Sequence, residues 1–239
     1  MHQVASKIKF MEFVDFERVL SRERVRRYVL ACRNNKRKAM ILYRYNLKLS
    51  KEMFAIISCF EVALRNKIDI EMRKHYGNDW LRDTILPGGI FYCDTKVEKT
   101  RAIIEDAYNE LKAAGLYSHS KLITKMFFGI WKYLFNNVQF ALTGRCLLGV
   151  FPKKPKSSPT FNVNNSYIFY KLDKINDLRN RIAHHESICF KHPDSIDIQV
   201  VKECYDNIMM LFDWMDVDHK KLLYGLDHIG ELLRKIKNF

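Results

Sequence analysis

The most concentrated chemistry in the sequence lies in the stretch LRNRIAHHE, Leu178 to Glu186. It combines two arginines, an asparagine, two adjacent histidines and a glutamate in a segment with helical periodicity. At about 100° per residue, a helix places Asn180 and His184 one turn apart on the same face, with Arg179 on an adjacent face. One edge of the helix would then present a cation, an amide and an imidazole.

These groups are suited to cleaving RNA without a metal ion. The reaction needs a base for the 2′-hydroxyl proton, an acid for the leaving oxygen and an arginine to hold the phosphate. Histidine suits both proton roles because its unperturbed pKa of about 6.5 lies near working pH. One copy of the chain supplies one histidine at this spacing, so a symmetric dimer would form a composite site with two.

A structural interpretation of the same stretch remains open. Histidines near a helix C-terminus also interact with the last carbonyls and with the negative end of the helix dipole. Arg179 or Arg181 would then pair with Asp173, Asp177 or Glu186. Zinc is disfavoured because adjacent histidines point in different directions on a helix, and neither HExxH nor clustered cysteines accompany them.

Other charged residues are candidates for supporting roles. They are Arg181, His185, Glu186, Glu61 and Arg65. Glu61 and Arg65 are four residues apart, a spacing at which an intrahelical ion pair contributes a few tenths of a kcal/mol. The stretch Leu178 to Glu186 is called the motif below, and the helix that carries it is called the motif helix. In the functional alternative, Glu61 or Arg65 faces the motif helix, where it orients His184 or adds phosphate affinity.

The basic balance of the chain points to a polyanionic partner. The formal charge is +14 on 239 residues, and the excess is concentrated in RERVRRYVLACRNNKRK, Arg22 to Lys38. Such a run is either a solvated helix face or a surface that contacts an RNA backbone and adds affinity without sequence choice. The predicted RNA-binding residues are Arg24, Arg27, Arg33, Lys36, Arg37 and Lys38.

Composition predicts an all-α fold. Only nine glycines and five prolines occur, and neither an alternating strand pattern nor a solenoid repeat is found. The chain is long enough to bury a core without disulfides. We expect a single domain over residues 1–239, with a core at about 15–215, a basic helical region at 15–48 and a C-terminal helix at about 219–237.

Cysteine usage and hydropathy predict a cytoplasmic location. The six cysteines, Cys93 among them, occur singly without a CxxC pair and are expected to be reduced. The N-terminus lacks the apolar run of a signal peptide, and no stretch of about 18 apolar residues could span a bilayer. No membrane association, metal ion or cofactor is expected.

Apolar periodicity predicts the individual helices. One stripe recurs at spacings of three and four: Met53, Ile57, Phe60, Leu64, Ile68 and Met72. It predicts a helix at about 50–76, with Ser50 as its N-cap. Further helices are predicted at about 95–114, 119–149, 195–215 and 219–237. Another is predicted to run from about residue 168 into the stretch Leu178 to Glu186. Loops are predicted at 83–94 and 151–165.

The aromatic block MFFGIWKYLF places Phe127, Trp131 and Phe135 on one stripe. Such a stripe indicates a core or a dimer interface, with stacking on single-stranded RNA as the alternative. Gly129 is expected to let another helix approach closely.

Four blocks of the sequence resemble a known family. RNRIAH, Arg179 to His184, is similar to the arginine, four residues, histidine signature of HEPN-domain ribonucleases, in which asparagine commonly follows the arginine. The order and spacing of the blocks over roughly residues 15–215 resemble the Abi-like (AbiD/AbiF) abortive-infection proteins. The blocks are LYRYNLKLSKEMFAIISCFEVALRNKI (42–68), YGNDWL (76–81), KLITKMFFGIWKYLF (121–135) and LRNRIAHHESI (178–188).

The resemblance implies a HEPN-type helical bundle with additional helices, a homodimer with a composite site, and metal-independent RNA cleavage that leaves a cyclic phosphate and a 5′-hydroxyl. Arg179 would contact the scissile phosphate, His184 would act as general acid or base, and Asn180 would orient His184 or hold phosphate. Members of the family act in phage defence or as toxins restrained by an antitoxin, and some are encoded beside small non-coding RNAs.

One position departs from the family pattern: Ser187 stands where a proline usually follows the motif.

The alternative function is a catalytically silent protein of the same fold that binds RNA, such as a small non-coding RNA, or a protein partner. A DNA-binding regulator is disfavoured because no short helix-turn-helix spacing is present.

Overall fold

The basic run occupies the N-terminal helices. The computed structural model describes residues 11–92, 94–158, 161–192 and 195–239. Helix α1 spans Phe13–Leu20 and α2 spans Arg22–Ala31. In the turn that follows, Arg33 and Asn34 adopt φ angles of 52° and 64°, in the left-handed region. The basic run therefore lies on a helix, on its following turn and on the start of the next helix.

Helix α3, Lys36–Tyr76, is 41 residues long and begins well before the predicted residue 50. Asn35 is its N-cap, and the Asn35 Oδ1 accepts the Lys38 N–H at 3.0 Å. Neither glycine nor proline interrupts the segment, so Ser50 lies inside the helix. The helix ends as predicted at Gly77, where φ is 82°.

The segment after α3 contains the predicted loop. Helix α4 spans Trp80–Asp83, turns follow up to residue 92, a 3₁₀ turn covers Thr95–Val97, and α5 spans Glu98–Ala113. A Cβ on Gly89 would lie 2.1 Å from the Asp83 carbonyl oxygen, so only glycine fits there. Cys93 lies outside the described residues.

The single helix predicted at 119–149 is wrong. The structure has α6 (His119–Lys125), α7 (Phe128–Tyr133), α8 (Asn137–Leu142) and a 3₁₀ turn (Cys146–Val150). Each break has a local cause. Met126 and Phe127 are extended, Asn136 is extended and caps α8 through the Gln139 N–H, and Gly144 and Arg145 are left-handed.

The described part of the predicted loop 151–165 is irregular up to Asn164, and Asn164 then caps α9, Asn165–Ala183. A two-stranded antiparallel hairpin that the sequence did not predict follows, with β1 at Phe190–His192 and β2 at Ser195–Ile196. Strands this short show no alternating pattern.

The chain closes with α10 (Gln199–Trp214), α11 (His219–Leu222) and α12 (Ile229–Lys237). The continuous helix predicted at 219–237 is therefore broken. Gly225, between α11 and α12, adopts φ of 74°. This left-handed conformation interrupts a right-handed α-helix.

Helix α3 organises the core. It packs against α2, α9, α10, α12 and the 3₁₀ turn Cys146–Val150. Apolar residues on both sides of the 151–165 loop belong to the same core, in accord with a single all-α domain. The cysteines at 32, 59, 146, 189 and 204 are free thiols, and none of the described helices is both long and apolar enough to cross a membrane.

Asn46 of α3 fixes the chain that follows α9. Its side chain is buried, and the Oδ1 accepts the N–H groups of Ile188 and Cys189 at 2.9 and 3.2 Å. Two buried backbone donors thus depend on one side chain.

We expect Asn46→Ala to lower the free energy of unfolding by about 2 to 4 kcal/mol, because it leaves both donors unpaired. Urea denaturation checks the value. Asn66→Ala, at an exposed position of the same helix, is the matched control. A loss at Asn46 no larger than that at Asn66 would contradict this account.

Candidate active site

Helix α9 ends inside the motif. Ala183 is its last helical residue and His184 is the C-cap. His185 is left-handed with φ of 56°, and the Glu186 N–H donates to the Arg181 carbonyl at 2.8 Å. These are the features of a Schellman ending. The chain turns away after His184, whose imidazole is exposed at the end of the helix.

Arg179 and Asn180 lie one turn before this end and are half-buried. The Arg179 Nη1 donates to the Asn180 Oδ1 at 3.4 Å, a long contact that holds the guanidinium weakly. The His184 N–H donates to the Asn180 carbonyl at 2.9 Å, which sets the predicted one-turn spacing. Within the described residues, neither the His184 ring nor the His185 ring is hydrogen-bonded to another side chain.

Glu61 of α3 faces the motif helix. Burial raises the pKa of the Glu61 carboxyl above its ordinary value, while the nearby guanidinium groups of Arg179 and, after it, Arg65 act to lower it. No ion pair closer than 4.0 Å joins Glu61 to Arg65 among the described residues. The half-buried Glu61 carboxylate therefore lies near both arginines, on the side of α3 that faces α9.

Arg65 has an unusual environment on α3. Its Nε is buried and has no hydrogen-bond partner within the described residues. An unpaired buried donor favours a hydrogen-bond acceptor at this place.

Arg24 anchors the turn after the motif. Its Nη2 donates to the His185 carbonyl and its Nε donates to the Tyr43 hydroxyl at 3.2 Å. Arg27, also on α2, holds its guanidinium 5.2 Å from the centroid of the Phe190 ring. Arg24 and Arg27, two of the six predicted RNA-binding residues, thus contact the chain that follows α9.

The other predicted RNA-binding residues are exposed around the start of α3. They are Arg33, Lys36, Arg37 and Lys38. The Lys36 ammonium lies 5.1 Å from the centroid of the Phe13 ring, and the Lys38 N–H is used in the helix cap. Their side-chain charges are available to a polyanion in solvent.

Arg181 and Glu186 make contacts that stabilise the turn after α9, and these contacts do not involve His184. The Arg181 Nη2 donates to the Ser187 carbonyl at 2.8 Å, and its Nε lies 3.4 Å from Glu186. The Arg181–Glu186 pair was one of the pairings of the structural interpretation. Asp173, another proposed partner, instead pairs with the buried Lys132 at 2.7 Å.

Ser187 has a defined role at the position where the family carries proline. Its buried hydroxyl lies 2.6 Å from the Tyr28 hydroxyl of α2. A proline at this position could not make this buried side-chain contact.

A depression of about 380 Å³ opens beside the motif turn. Tyr43 and Leu47 of α3 line it together with Ile182 and His185. His185 thus lines a recess of mixed apolar and polar character, and both His184 and His185 are exposed.

The aromatic block divides between core and surface. Trp131 and Phe135 are fully buried, as the core interpretation predicted, and Phe127 is exposed. Gly129 does not admit another helix, because a Cβ there would lie 2.7 Å from the Phe127 ring. Phe127 itself occupies the space, which corrects the expectation for Gly129.

The anchors of the motif turn are the functional residues that the sequence did not predict. Tyr28 and Asn46 contact residues more than 140 positions away in the chain, and nothing in their local sequence indicates it. Arg24 was predicted as an RNA contact, and its structural role depends on the same distant turn.

Within the described residues, no group of three or more histidine, cysteine, aspartate or glutamate side chains could hold a metal ion. Comparison of the chain with family models, curated proteins and solved structures gives no match.

We expect Glu61 to give folding stability a pH dependence that Glu61→Gln removes. Because the folded-state pKa of Glu61 is raised, its contribution is full below the ordinary pKa of 4.5 and is lost as pH rises through the raised value. The stability of wild type relative to Glu61→Gln should therefore fall over that window in urea titrations. Glu105→Gln, at an exposed position of α5, is the control, and a parallel pH profile for wild type and Glu61→Gln would contradict the prediction.

Proposed function

We propose that this protein is a metal-independent endoribonuclease of the HEPN type, with Arg179, Asn180 and His184 as its catalytic residues. The observation that carries the proposal is the end of α9, where an exposed imidazole lies five residues beyond a weakly held guanidinium. The resemblance of the sequence to Abi-like proteins supports the same assignment.

In the proposed reaction, the 2′-hydroxyl oxygen of the RNA attacks the adjacent phosphorus, and the bond to the 5′ oxygen of the next nucleotide breaks. One proton leaves the 2′-hydroxyl and one is delivered to the leaving oxygen, so the products are a cyclic phosphate and a 5′-hydroxyl. His184 carries one of these proton transfers, and Arg179 stabilises the charge on the phosphate. Asn180 holds Arg179 or the phosphate.

We infer that the second proton transfer uses His184 of another copy in a homodimer. The α3 stripe of Leu47, Phe54 and Glu61 repeats every seven residues and runs beside the motif. Leu47 lines the recess next to His185, and Glu61 is close to Arg179. Leu47, Phe54 and the adjacent Val62 are exposed apolar side chains, which supports a second copy as their cover.

The positive charge of the chain supports RNA as the polyanion. Exposed cations at 33 and 36–38 provide phosphate contacts without sequence choice. In this proposal, the enzyme acts in phage defence or as a toxin restrained by an antitoxin. The alternative is a catalytically silent RNA-binding protein that uses the basic surface and not the histidines.

Expression of wild type in a bacterial host should arrest growth and generate RNA ends with a 5′-hydroxyl, while His184→Ala should do neither. Removal of a general acid or base costs about 10²- to 10⁴-fold in rate. Sequencing of 5′-hydroxyl ends measures the products. His192→Ala, at an exposed histidine of β1, is the matched control and should behave as wild type.

Equal toxicity and equal cleavage in wild type and His184→Ala would overturn the ribonuclease assignment. RNA that copurifies with both proteins without being cut would instead favour the silent RNA-binding alternative.

Phe54→Asp should convert the dimer to monomer and abolish cleavage, because it buries a charge in the proposed interface. Sedimentation velocity measures the oligomeric state. Ile70→Asp is the control: Ile70 is 55% exposed, more than the 44% of Phe54, and lies on the opposite side of α3. A wild type that is active as a monomer would contradict the composite site.

A further inference from the structure

Two exposed tyrosines lie beside α9, before the motif. Tyr170 of α9 is 50% exposed and Tyr133, at the end of α7, is 44% exposed. Tyr133 belongs to an aromatic pair: it packs against Phe169, the residue before Tyr170 in α9, with ring centroids 6.0 Å apart. Large rings held at the surface are platforms on which planar groups can stack.

Lysines surround these rings. The ammonium groups of Lys171 and Lys174 lie 5.8 and 5.4 Å from the Tyr170 centroid. Lys132 lies 4.6 Å from the Tyr133 centroid, and its charge is paired with Asp173. Lys132 is buried, so the surface offers a π-face next to cations at Tyr170, the combination that fits bases and phosphates of a single strand.

The tyrosine surface leads towards the motif. At 100° per residue, Tyr170, Lys174 and His184 all fall within about 80° of arc on α9. Tyr170 and His184 are separated by about 21 Å along the helix axis at a rise of about 1.5 Å per residue. At the spacing of a stacked strand, about 3.4 Å per nucleotide, that distance corresponds to about six nucleotides.

The acids on this part of α9 are few. Between Tyr170 and His184 the sequence contains only Asp173 and Asp177. Lys132 neutralises Asp173, while Asp177 is exposed. With Lys171 and Lys174 present, the surface around Tyr170 is net positive.

We propose that Tyr133, Tyr170 and Lys174 form a binding surface for single-stranded RNA, which holds the strand about six nucleotides from the position cleaved at His184. The proposal rests on the proposed ribonuclease function for the identity of the ligand. It adds a second contact region. There the tyrosine rings stack on bases without selecting sequence, and Lys174 binds phosphates of the RNA strand.

Fluorescence anisotropy with a labelled oligouridylate of about ten nucleotides tests the surface. All variants are made in His184→Ala protein, so that no RNA is cut during the measurement. Tyr170→Ala should weaken binding about 5- to 100-fold, and Tyr170→Trp should retain it because the ring is kept. Lys174→Gln should reduce the salt slope of binding by about 0.7.

Tyr224→Ala is the matched control, because Tyr224 is 88% exposed and lies between α11 and α12, outside this surface. An oligonucleotide of the same length with abasic sites should bind equally to the parent and to Tyr170→Ala, since it offers nothing to stack. Equal losses with intact and abasic strands, or an effect no larger than that of Tyr224→Ala, overturn the proposal. So does a parent protein that does not bind the oligouridylate.

The two proposals fail separately. If Tyr170→Ala weakens binding but His184→Ala leaves cleavage unchanged, the RNA surface stands and the ribonuclease site is wrong. If His184 is required for cleavage and Tyr170 does not affect affinity, the RNA surface is wrong and the ribonuclease site stands.

Discussion

The length of α3 is the constraint on which the rest of the structure depends. A helix of 41 residues extends about 60 Å, which is more than the diameter of a small domain. No single partner helix in the described residues covers it, so α2, α9, α10 and α12 cover successive parts. The stripe of Leu47, Phe54 and Glu61 remains open where α9 ends, which gives the motif its position at the edge of the core.

The balance of charge around Glu61 bears on the phosphate contact proposed for Arg179. A half-buried carboxylate between two arginines offsets their repulsion, and burial still raises its pKa. Within the described part of the chain, Arg179 donates one long hydrogen bond, to Asn180. The other guanidinium N–H groups of Arg179 make no short hydrogen bond within the described residues. A phosphate has several acceptor oxygens, so it can accept from more of these N–H groups than the Glu61 carboxylate can.

Periodicity and local chemistry predicted α5, α9 and the C-terminal end of α3, because their caps and breaks lie in adjacent residues. The same reasoning failed at 119–149, where apolar spacing continued through Met126 and Asn136 although the backbone there is extended. It also missed the start of α3, since Ser50 resembles an N-cap in sequence and lies within the helix.

The candidate site was predictable only in part for the same reason. The one-turn spacing of Asn180 and His184 follows from a helix alone. The approach of Glu61 to Arg179 needed the packing of α3 against α9, and the contacts of Arg24 and Asn46 with the turn needed the whole fold. Side chains that meet across such distances leave no local signal.

The turn that follows α9 is held by contacts from α2 and α3. Arg24 and Asn46 bond the backbone at His185, Ile188 and Cys189. These contacts fix the chain behind the motif, and the His184 imidazole is exposed with no hydrogen-bond partner among the described side chains. A histidine that only capped the helix would need its ring turned to the last carbonyls. Rigid support behind an exposed imidazole fits the proton-transfer role proposed for His184.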